Sequence, residues 1–257
     1  MNNLDYLQSK INQGLWSFSY DQMEKEIGYP PKNKIAIYQK NGRLIIPARG
    51  FHVIVPEEYQ NAGRLPVERY IDSLMAHYSK SYYVGLLTAA SYWGSSHQSP
   101  QSFQIITNYN KRNIKTQNNQ INFYRKKGME TIPAIKQKSP TGYFNISSPE
   151  ITFLDLILFN RQIGGLSRVG EITAEMANHF SITALQTVLP HFSNAILQRS
   201  GYILDLLGLE KYCLPIEKYF NSQKVIYTYL NPSKSKERKN KHSRWKLFIN
   251  DKLEIEI

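Results

Sequence analysis

The stretch PKNKIAIYQKNGRLIIPARGFHVIVP, residues 31–56, contains a helix pattern followed by a hairpin pattern. Pro31 suits the first position of a helix and Asn41–Gly42 is typical of a helix end, which predicts a helix over residues 31–40. Two β-rich runs, separated by the four residues 47–50, predict a β-hairpin directly after this helix. The two predicted strands cover residues 43–46 and 51–55.

Two shorter helices are predicted upstream of this stretch. Apolar residues recur at helical spacing over residues 4–11, and Gly14 follows as a helix end. Ser19 and Gln22 form a capping-box pattern that opens a second helix, which Gly28 ends. The region therefore has the order helix, helix, helix, hairpin.

This element order predicts an α+β fold with two parts. An N-terminal winged helix-turn-helix, the head, covers residues 1–58, and a larger mixed α/β C-terminal domain, the body, covers residues 59–257. The polar residues 57–69 are expected to form either a linker between the two parts or the entry to the body. A generic small α+β unit is the alternative interpretation of the head.

The body shows helical patterns and β-rich runs along its whole length. The predicted helices cover residues 70–77, 83–93, 149–160, 166–179, 181–190, 193–207 and 213–221. The predicted strands cover residues 102–107, 121–124, 143–146, 225–230, 245–249 and 253–257.

The charge of the chain suggests a polyanionic partner. Lys and Arg total 32 against 20 Asp and Glu, which gives a formal net charge of +12. Residues 29–56 contain five basic side chains and no acidic one. Nucleic acid is the leading candidate, and a basic surface that only keeps the protein soluble is the alternative.

Composition also limits the other function classes. A single cysteine, Cys213, excludes an intramolecular disulfide framework and a multi-cysteine zinc site. The histidines occur singly and no phosphate-binding loop is present, so we expect no metal, no cofactor and no catalytic residues. The first residues, MNNLDYLQSK, lack a signal-peptide pattern and no long apolar run follows, so the cytoplasm is the expected location and no membrane is involved.

The candidate DNA-binding residues lie on the third helix and the hairpin, since a recognition helix enters the major groove while neighbouring cations contact phosphate. Ile35 and Tyr38 are expected to pack inward. Asn33 is either a helix cap or a reader of adenine, and the two interpretations stay open here. The DNA-binding candidates are Lys32, Asn33, Lys34, Lys40, Arg43 and Arg49.

A second set of cations in the body is interleaved with aromatic side chains. Such a set is expected to bind DNA backbone beyond the contacts of the head, or RNA through stacking and charge. A solvated, mobile loop is the alternative for residues 232–244. This auxiliary basic patch comprises Lys111, Arg112, Lys115, Arg125, Lys126, Lys127, Arg244 and Lys246.

Several stretches in a fixed order resemble the AbiEi-type antitoxin family of type IV toxin–antitoxin and abortive-infection operons. No single stretch is specific, but their order along nearly the whole chain is. In the head they are residues 41–44 and 49–54; in the body they are residues 82–90, Gly94, residues 97–98, 103–106, 148–156, 164–166 and 244–250.

The resemblance implies a transcriptional repressor and antitoxin. By this resemblance the head binds inverted repeats in double-stranded operator DNA of its own promoter, with self-association on the DNA. The body counteracts a nucleotidyltransferase-like toxin without forming a stable complex. A nucleic-acid-processing enzyme, nuclease-like, with a winged-helix targeting head is the alternative, and a DNA binder without sequence preference is a third hypothesis.

Overall fold

The computed structural model describes residues 3–28, 32–60, 65–95, 100–116 and 118–256. The fold is mixed α+β, with helices and several sheets. The chain divides into two compact units. The first unit comprises Met1–Val84, Gln101–Glu130 and Ala134–Ile146, and the second comprises Gly85–Pro100, Thr131–Pro133 and Ser147–Ile257. The boundary expected at residue 58 stays a prediction.

The first unit begins with three helices and a small sheet. Strand β1 adds to one side of the predicted hairpin, so the sheet has three antiparallel strands in the order β1-β3-β2. The helices are α1 (Asn3–Asn12), α2 (Tyr20–Ile27) and α3 (Lys32–Lys40), and the strands are β1 (Ser17–Ser19), β2 (Leu44–Ala48) and β3 (Phe51–Ile54). The three predicted helices are thereby confirmed within one or two residues at each end.

The ends of these helices follow the sequence signals. Ser19 Oγ accepts from the Gln22 backbone amide, and the Gln22 side chain accepts from the Ser19 amide, which is the predicted capping box. Gly28 and Gly42 have φ angles of 79° and 71°, a left-handed conformation that favours glycine. Pro31, expected at the first helical position, lies outside the described residues.

The predicted four-residue loop of the hairpin is wrong. β2 continues through Pro47 to Ala48, and only Arg49 and Gly50 form the turn. The register between β2 and β3 shifts between Ile45 and Ala48, which marks a bulge. A bulge is one of the few places where a strand tolerates proline, because the proline nitrogen has no hydrogen to donate.

One apolar cluster holds the three helices on the sheet. α1 contributes Tyr6, which meets Phe18 of β1 edge to face with ring centroids 5.4 Å apart. α3 contributes Ile35 and Tyr38, which lie three residues apart and point inward as predicted. The buried members of the cluster are Tyr6, Leu7, Phe18, Met23, Ile35, Tyr38, Leu44 and Ile54.

Residues 57–69 are not an unstructured linker where the structure describes them. They contain helix α4 (Glu57–Gln60) and a 3₁₀ turn at Val67–Arg69, and α5 (Ile71–His77) follows. Leu65 and Val67 are buried, and the Asn119 side-chain amide donates to the Leu65 carbonyl at 2.6 Å. Leu65 and Val67 flank Pro66, and the burial of these two apolar side chains explains why this segment packs on the protein.

The first unit also contains a mixed six-stranded sheet with the order β6-β7-β5-β4-β9-β8. The predicted strands at 102–107, 121–124 and 143–146 are confirmed, and β6 and β8 were not predicted. The strands are β4 (Tyr82–Val84), β5 (Phe103–Thr107), β6 (Ile114–Lys115), β7 (Gln120–Arg125), β8 (Ile135–Ser139) and β9 (Gly142–Ile146). A 3₁₀ turn at Met129–Thr131 precedes β8.

The helix predicted over residues 83–93 is wrong at its start. Tyr82–Val84 form the buried strand β4, and helix α6 begins only at Leu86. A short run that is buried on both faces has no alternation, so periodicity does not distinguish it from a buried helix. His97 and Gln98, quoted above for the resemblance, lie outside the described residues.

The second unit is mostly helical. α7 is buried along nearly its whole length and contacts α6, α9, α10 and α11, as expected for a helix that is apolar on all sides. All helices predicted after residue 148 are present. The helices of the second unit are α6 (Leu86–Tyr92), α7 (Pro149–Leu158), α8 (Asn160–Ile163), α9 (Leu166–Met176), α10 (Ile182–Val188), α11 (Asn194–Leu206) and α12 (Glu210–Phe220), with 3₁₀ turns after α9 and α10.

A small C-terminal sheet completes the second unit. β12 (Leu247–Phe248) pairs in parallel with β10 (Thr228–Tyr229) and antiparallel with β11 (Lys241–His242). Arg199 of α11 is buried and its guanidinium donates to the Tyr229 and Leu230 carbonyls. The strand predicted over residues 253–257 is wrong, because residues 253–256 form no strand. The sequence of residues 253–257 alternates apolar and acidic residues, but the described residues 253–256 do not pair with a strand.

Candidate nucleic-acid interface

Helix α3 presents one polar face to solvent. Asn33, Ile37 and Lys40 recur at spacings of four and three residues, so they lie on one side of the helix, and all three are exposed. Ile37 is 52% exposed, although it is a large apolar residue. Sequence reasoning missed Ile37; its position opposite the buried Ile35 and Tyr38 was the signal that identifies it.

The N-terminal end of α3 carries the other polar candidates. Asn33 is the second residue of the helix, inside it rather than before it, so it does not occupy the N-cap position. Lys34 beside it is exposed. Lys32 begins the helix, and its side chain lies outside the described part of the structure.

The turn between β2 and β3 carries Arg49. Its side chain is exposed, and Gly50 after it has a φ of 74°, so the turn projects the arginine from the end of the hairpin. The Arg49 carbonyl lies 3.3 Å from His77 Nε2 of α5, which supports the turn. Arg43, at the other end of β2, is half-buried.

His52 of β3 is buried in the three-stranded sheet. Its ring stacks on Phe18 of β1 at a centroid distance of 5.0 Å. Burial lowers the pKa of His52 below the ordinary value of 6.5, and the positive charge of a protonated His77 lowers it further. His52 is therefore a neutral packing residue at pH 7.

We expect the protein to lose stability as the pH falls below about 6.5. The folded state lowers the pKa of His52, so the unfolded chain binds the proton first and stability falls with pH, by up to about 1.4 kcal/mol per pH unit. Denaturant unfolding between pH 7.5 and 5 measures this slope. His52→Phe, which keeps the ring on Phe18, should flatten it, whereas the exposed His77→Asn should leave most of it. An unchanged slope in His52→Phe would contradict this account.

The auxiliary basic patch lies in two different units. In the first unit, Lys126 is buried and donates to the Tyr83 hydroxyl at 3.4 Å. Lys111 is half-buried, with its Nζ 3.6 Å from the centroid of the Tyr78 ring. The other patch cations of this unit are exposed: Arg112, Lys115, Arg125 and Lys127.

In the second unit, Arg244 and Lys246 serve the packing of the C-terminal segment. Arg244 forms ion pairs with Asp205 and Glu217 at 2.5 Å and with Glu210 at 2.6 Å. These pairs raise the pKa of Arg244 above its ordinary value. Lys246 Nζ donates to the Val225 carbonyl at 3.1 Å. Both side chains are therefore held by the protein itself.

Arg244 also bears on metal binding. Within the described part of the chain, one group of side chains has the spacing of a metal site, namely Asp205, Glu210 and Cys213. Arg244 pairs with both carboxylates of this group, and the thiol is buried with its pKa raised to about 12, chiefly by burial. The carboxylates thus already have a positive partner, and the thiol is held protonated.

Comparison with known proteins identifies the central part of the chain. Residues 83–206, from strand β4 to the end of α11, match the model of the AbiEi antitoxin C-terminal domain. The resemblance inferred from the sequence is confirmed. Among curated proteins, none matches the chain.

A solved structure shares the fold of nearly the whole chain. The crystal structure of the RV2827C protein from Mycobacterium tuberculosis superposes with a TM-score of 0.64 at 14% identity, covering 94% of this chain and 89% of that one. At this identity the likeness concerns the fold alone. The fold of this chain therefore recurs in another protein.

The AbiEi domain supports a role as the antitoxin of a toxin–antitoxin system, and an antitoxin implies a toxin as its functional partner. Membership in an antitoxin family favours a regulator over an enzyme. Among the described residues, every helix is too short or too polar to cross a bilayer.

Proposed function

We propose that this protein is the DNA-binding repressor and antitoxin of a type IV toxin–antitoxin operon. The head binds inverted repeats in the operon's own promoter, and the body counteracts a nucleotidyltransferase-like toxin without a stable complex. The match of residues 83–206 to the AbiEi antitoxin domain carries the proposal. Promoter binding would place the protein in the cytoplasm, with the bacterial DNA.

The head supports the DNA-binding half of the proposal as a winged helix-turn-helix. Three helices pack on a three-stranded sheet, and the last helix leads directly into the hairpin. In this architecture α3 is the recognition helix and the β2–β3 hairpin is the wing. The inner face of α3 is apolar and buried, so its outer face is free to enter the major groove.

Each exposed side chain of the head has a distinct chemical capacity. Asn33 is able to bond adenine in bidentate fashion, and Ile37 offers an apolar contact for a thymine methyl group. Lys34 and Lys40 contact phosphate. At the wing, the exposed Arg49 enters the minor groove, while the half-buried Arg43 contacts phosphate beside α3.

In this proposal, fewer residues of the auxiliary basic patch contact nucleic acid than the sequence suggested. Lys126, Arg244 and Lys246 contact other groups of the protein, so we assign them a role in stabilising the fold. The five other cations add general attraction for phosphate, which depends on salt concentration. They are Lys111, Arg112, Lys115, Arg125 and Lys127.

The proposal separates promoter binding from toxin neutralisation, and point variants of the full chain test this. A head variant carries Lys34→Ala, Lys40→Ala and Arg49→Ala together. Losing three positive charges from the proposed DNA-binding face should weaken binding to promoter DNA by about tenfold or more at moderate salt. The same variant should still rescue cells from the toxin encoded beside this gene. Promoter binding is measured by fluorescence anisotropy and rescue by colony counts.

A matched control loses the same charges elsewhere. Arg161, Lys218 and Lys224 are exposed and lie outside the head, so the triple variant Arg161→Ala, Lys218→Ala and Lys224→Ala should keep promoter affinity. If the head variant is folded by circular dichroism but loses rescue as well as promoter binding, the separation is wrong. If both triple variants weaken promoter binding equally, the head is not the reading surface.

A further inference from the structure

Among the described residues, strand β6 covers only part of the β7 edge of the six-stranded sheet. β6 has two residues and pairs only with Gln120 and Ile121 of β7. Beyond this point the Phe123 amide donates to the Asn113 side-chain oxygen at 3.0 Å, in place of a strand carbonyl. A cleft of about 450 Å³ opens here between β7 and the loop that precedes β6. Its lining residues are Tyr109, Asn110, Lys111, Arg112, Phe123 and Arg125.

The cleft is strongly positive. Three cations line it, and no carboxylate does. Contacts with the protein hold two of them in place: Lys111 Nζ over the Tyr78 ring, and Arg125 Nε on the Asn108 carbonyl at 3.3 Å. Arg112 is exposed. Positive groups that are already ordered lose little entropy when an anion binds, so the site favours phosphate.

The cleft also offers aromatic surface beside this charge. Phe123 is half-buried and lines the cleft. Tyr109 borders the cleft as well. Cations with an aromatic ring between them are typical of sites where a nucleobase stacks while its phosphate is neutralised.

We propose that this cleft binds an unpaired nucleotide of a single-stranded nucleic acid, with the base on Phe123 and the phosphates on Arg112 and Arg125. A duplex keeps its bases stacked inside, so it presents no base face to a ring in a concave site. A cleft of this volume matches pockets that take one small-molecule-sized unit. The site is separate from operator reading by α3 and the wing.

Binding of labelled oligonucleotides to the full chain tests the site. The probes are an oligouridine RNA and an oligothymidine DNA of about twelve nucleotides, and a mixed-sequence DNA duplex of the same length. Both single strands should bind more tightly than the duplex. Phe123→Ala should weaken the single strands by about tenfold or more, since one stacked base is lost. The comparison of RNA with DNA identifies the source of the strand.

Three further variants separate stacking from a loss of folding. Tyr143→Ala removes an aromatic side chain that is 58% exposed on β9, outside the cleft, and should change nothing. Phe123→Trp should keep the affinity, and its added fluorescence should be quenched when a strand binds. Arg125→Gln should flatten the salt dependence of single-strand binding by about 0.7 in slope. Promoter binding by Phe123→Ala should equal that of the wild type.

Two results would overturn the proposal. One is a duplex that binds as tightly as either single strand, with Phe123→Ala and Tyr143→Ala affecting all probes alike. The other is a folded Phe123→Trp variant that binds the strands without any change in its fluorescence. Either result leaves promoter reading by the head intact, because that is measured on the promoter duplex with Lys34, Lys40 and Arg49.

Discussion

Replacing Trp245 with Ala should lower the free energy of unfolding by about 3–5 kcal/mol. The Trp245 side chain is fully buried, meets Phe220 edge to face at 6.3 Å, and donates from Nε1 to Asp205. Truncation to Ala leaves a cavity and an unmatched carboxylate oxygen. Denaturant unfolding measures the loss, and Leu214→Ala, an exposed site on α12, should stay within about 0.5 kcal/mol.

Gly201 provides an independent check on the same packing. A Cβ added to Gly201 of α11 would lie 2.4 Å from the Trp245 ring. Gly201→Ala should therefore destabilise the protein by about 1–3 kcal/mol, although Ala normally favours a helix over Gly. Combining it with Trp245→Leu should cost less than the sum of the two single changes. A stabilising Gly201→Ala, or strict additivity, would show that the ring does not pack on α11.

Asn33→Ala should lower affinity for the promoter by about 1–3 kcal/mol and affect random DNA much less. The exposed Asn33 lies at the N-terminal end of α3. In the proposed function this end enters the major groove, where an amide is able to read a base edge. Lys40→Ala should instead weaken both DNAs by similar factors and flatten the salt slope by about 0.9, because phosphate carries no sequence information. Binding isotherms at several salt concentrations, on folded variants, separate the two patterns.

The contrast between these variants is the informative result. Equal loss on both DNAs in Asn33→Ala, or no loss at all, would mean that Asn33 is a surface residue. Ile37→Ala tests the same face of α3 a second time. It should also lower affinity mainly for the promoter, since a methyl contact to thymine is base-specific. Gln39→Ala, on the same helix, is the local control for helix propensity.

The parts of the fold that local signals encode could be predicted. The Ser19–Gln22 capping box, the glycine at Gly42 and the inward pair Ile35 and Tyr38 act within one or two helical turns, and all were found in the sequence. β1 was missed because a three-residue strand gains its identity only from pairing with β3, more than thirty residues away. Long-range pairing leaves little trace in a short segment.

The charged residues of the candidate sites could be identified from the sequence, but their partners and positions in the fold mostly could not. Lys34, Lys40 and Arg49 are exposed at the positions expected for α3 and the hairpin. Arg244 and Lys246 looked like part of a cationic surface, but their partners Asp205, Glu210 and the Val225 carbonyl lie far away in sequence. The cleft beside Phe123 depends on how little of β7 is covered by β6, which no local pattern specifies.

Binding of the wild-type chain to its own promoter and to a scrambled duplex of the same composition tests the central claim most directly, with a footprint on the promoter. The account predicts that the promoter is bound about a thousandfold or more tightly at physiological salt. The footprint should show two protected half-sites, about one helical turn or a multiple of it apart, filled in one cooperative step. Equal affinity for the two duplexes, or protection of one unpaired site, would contradict the account.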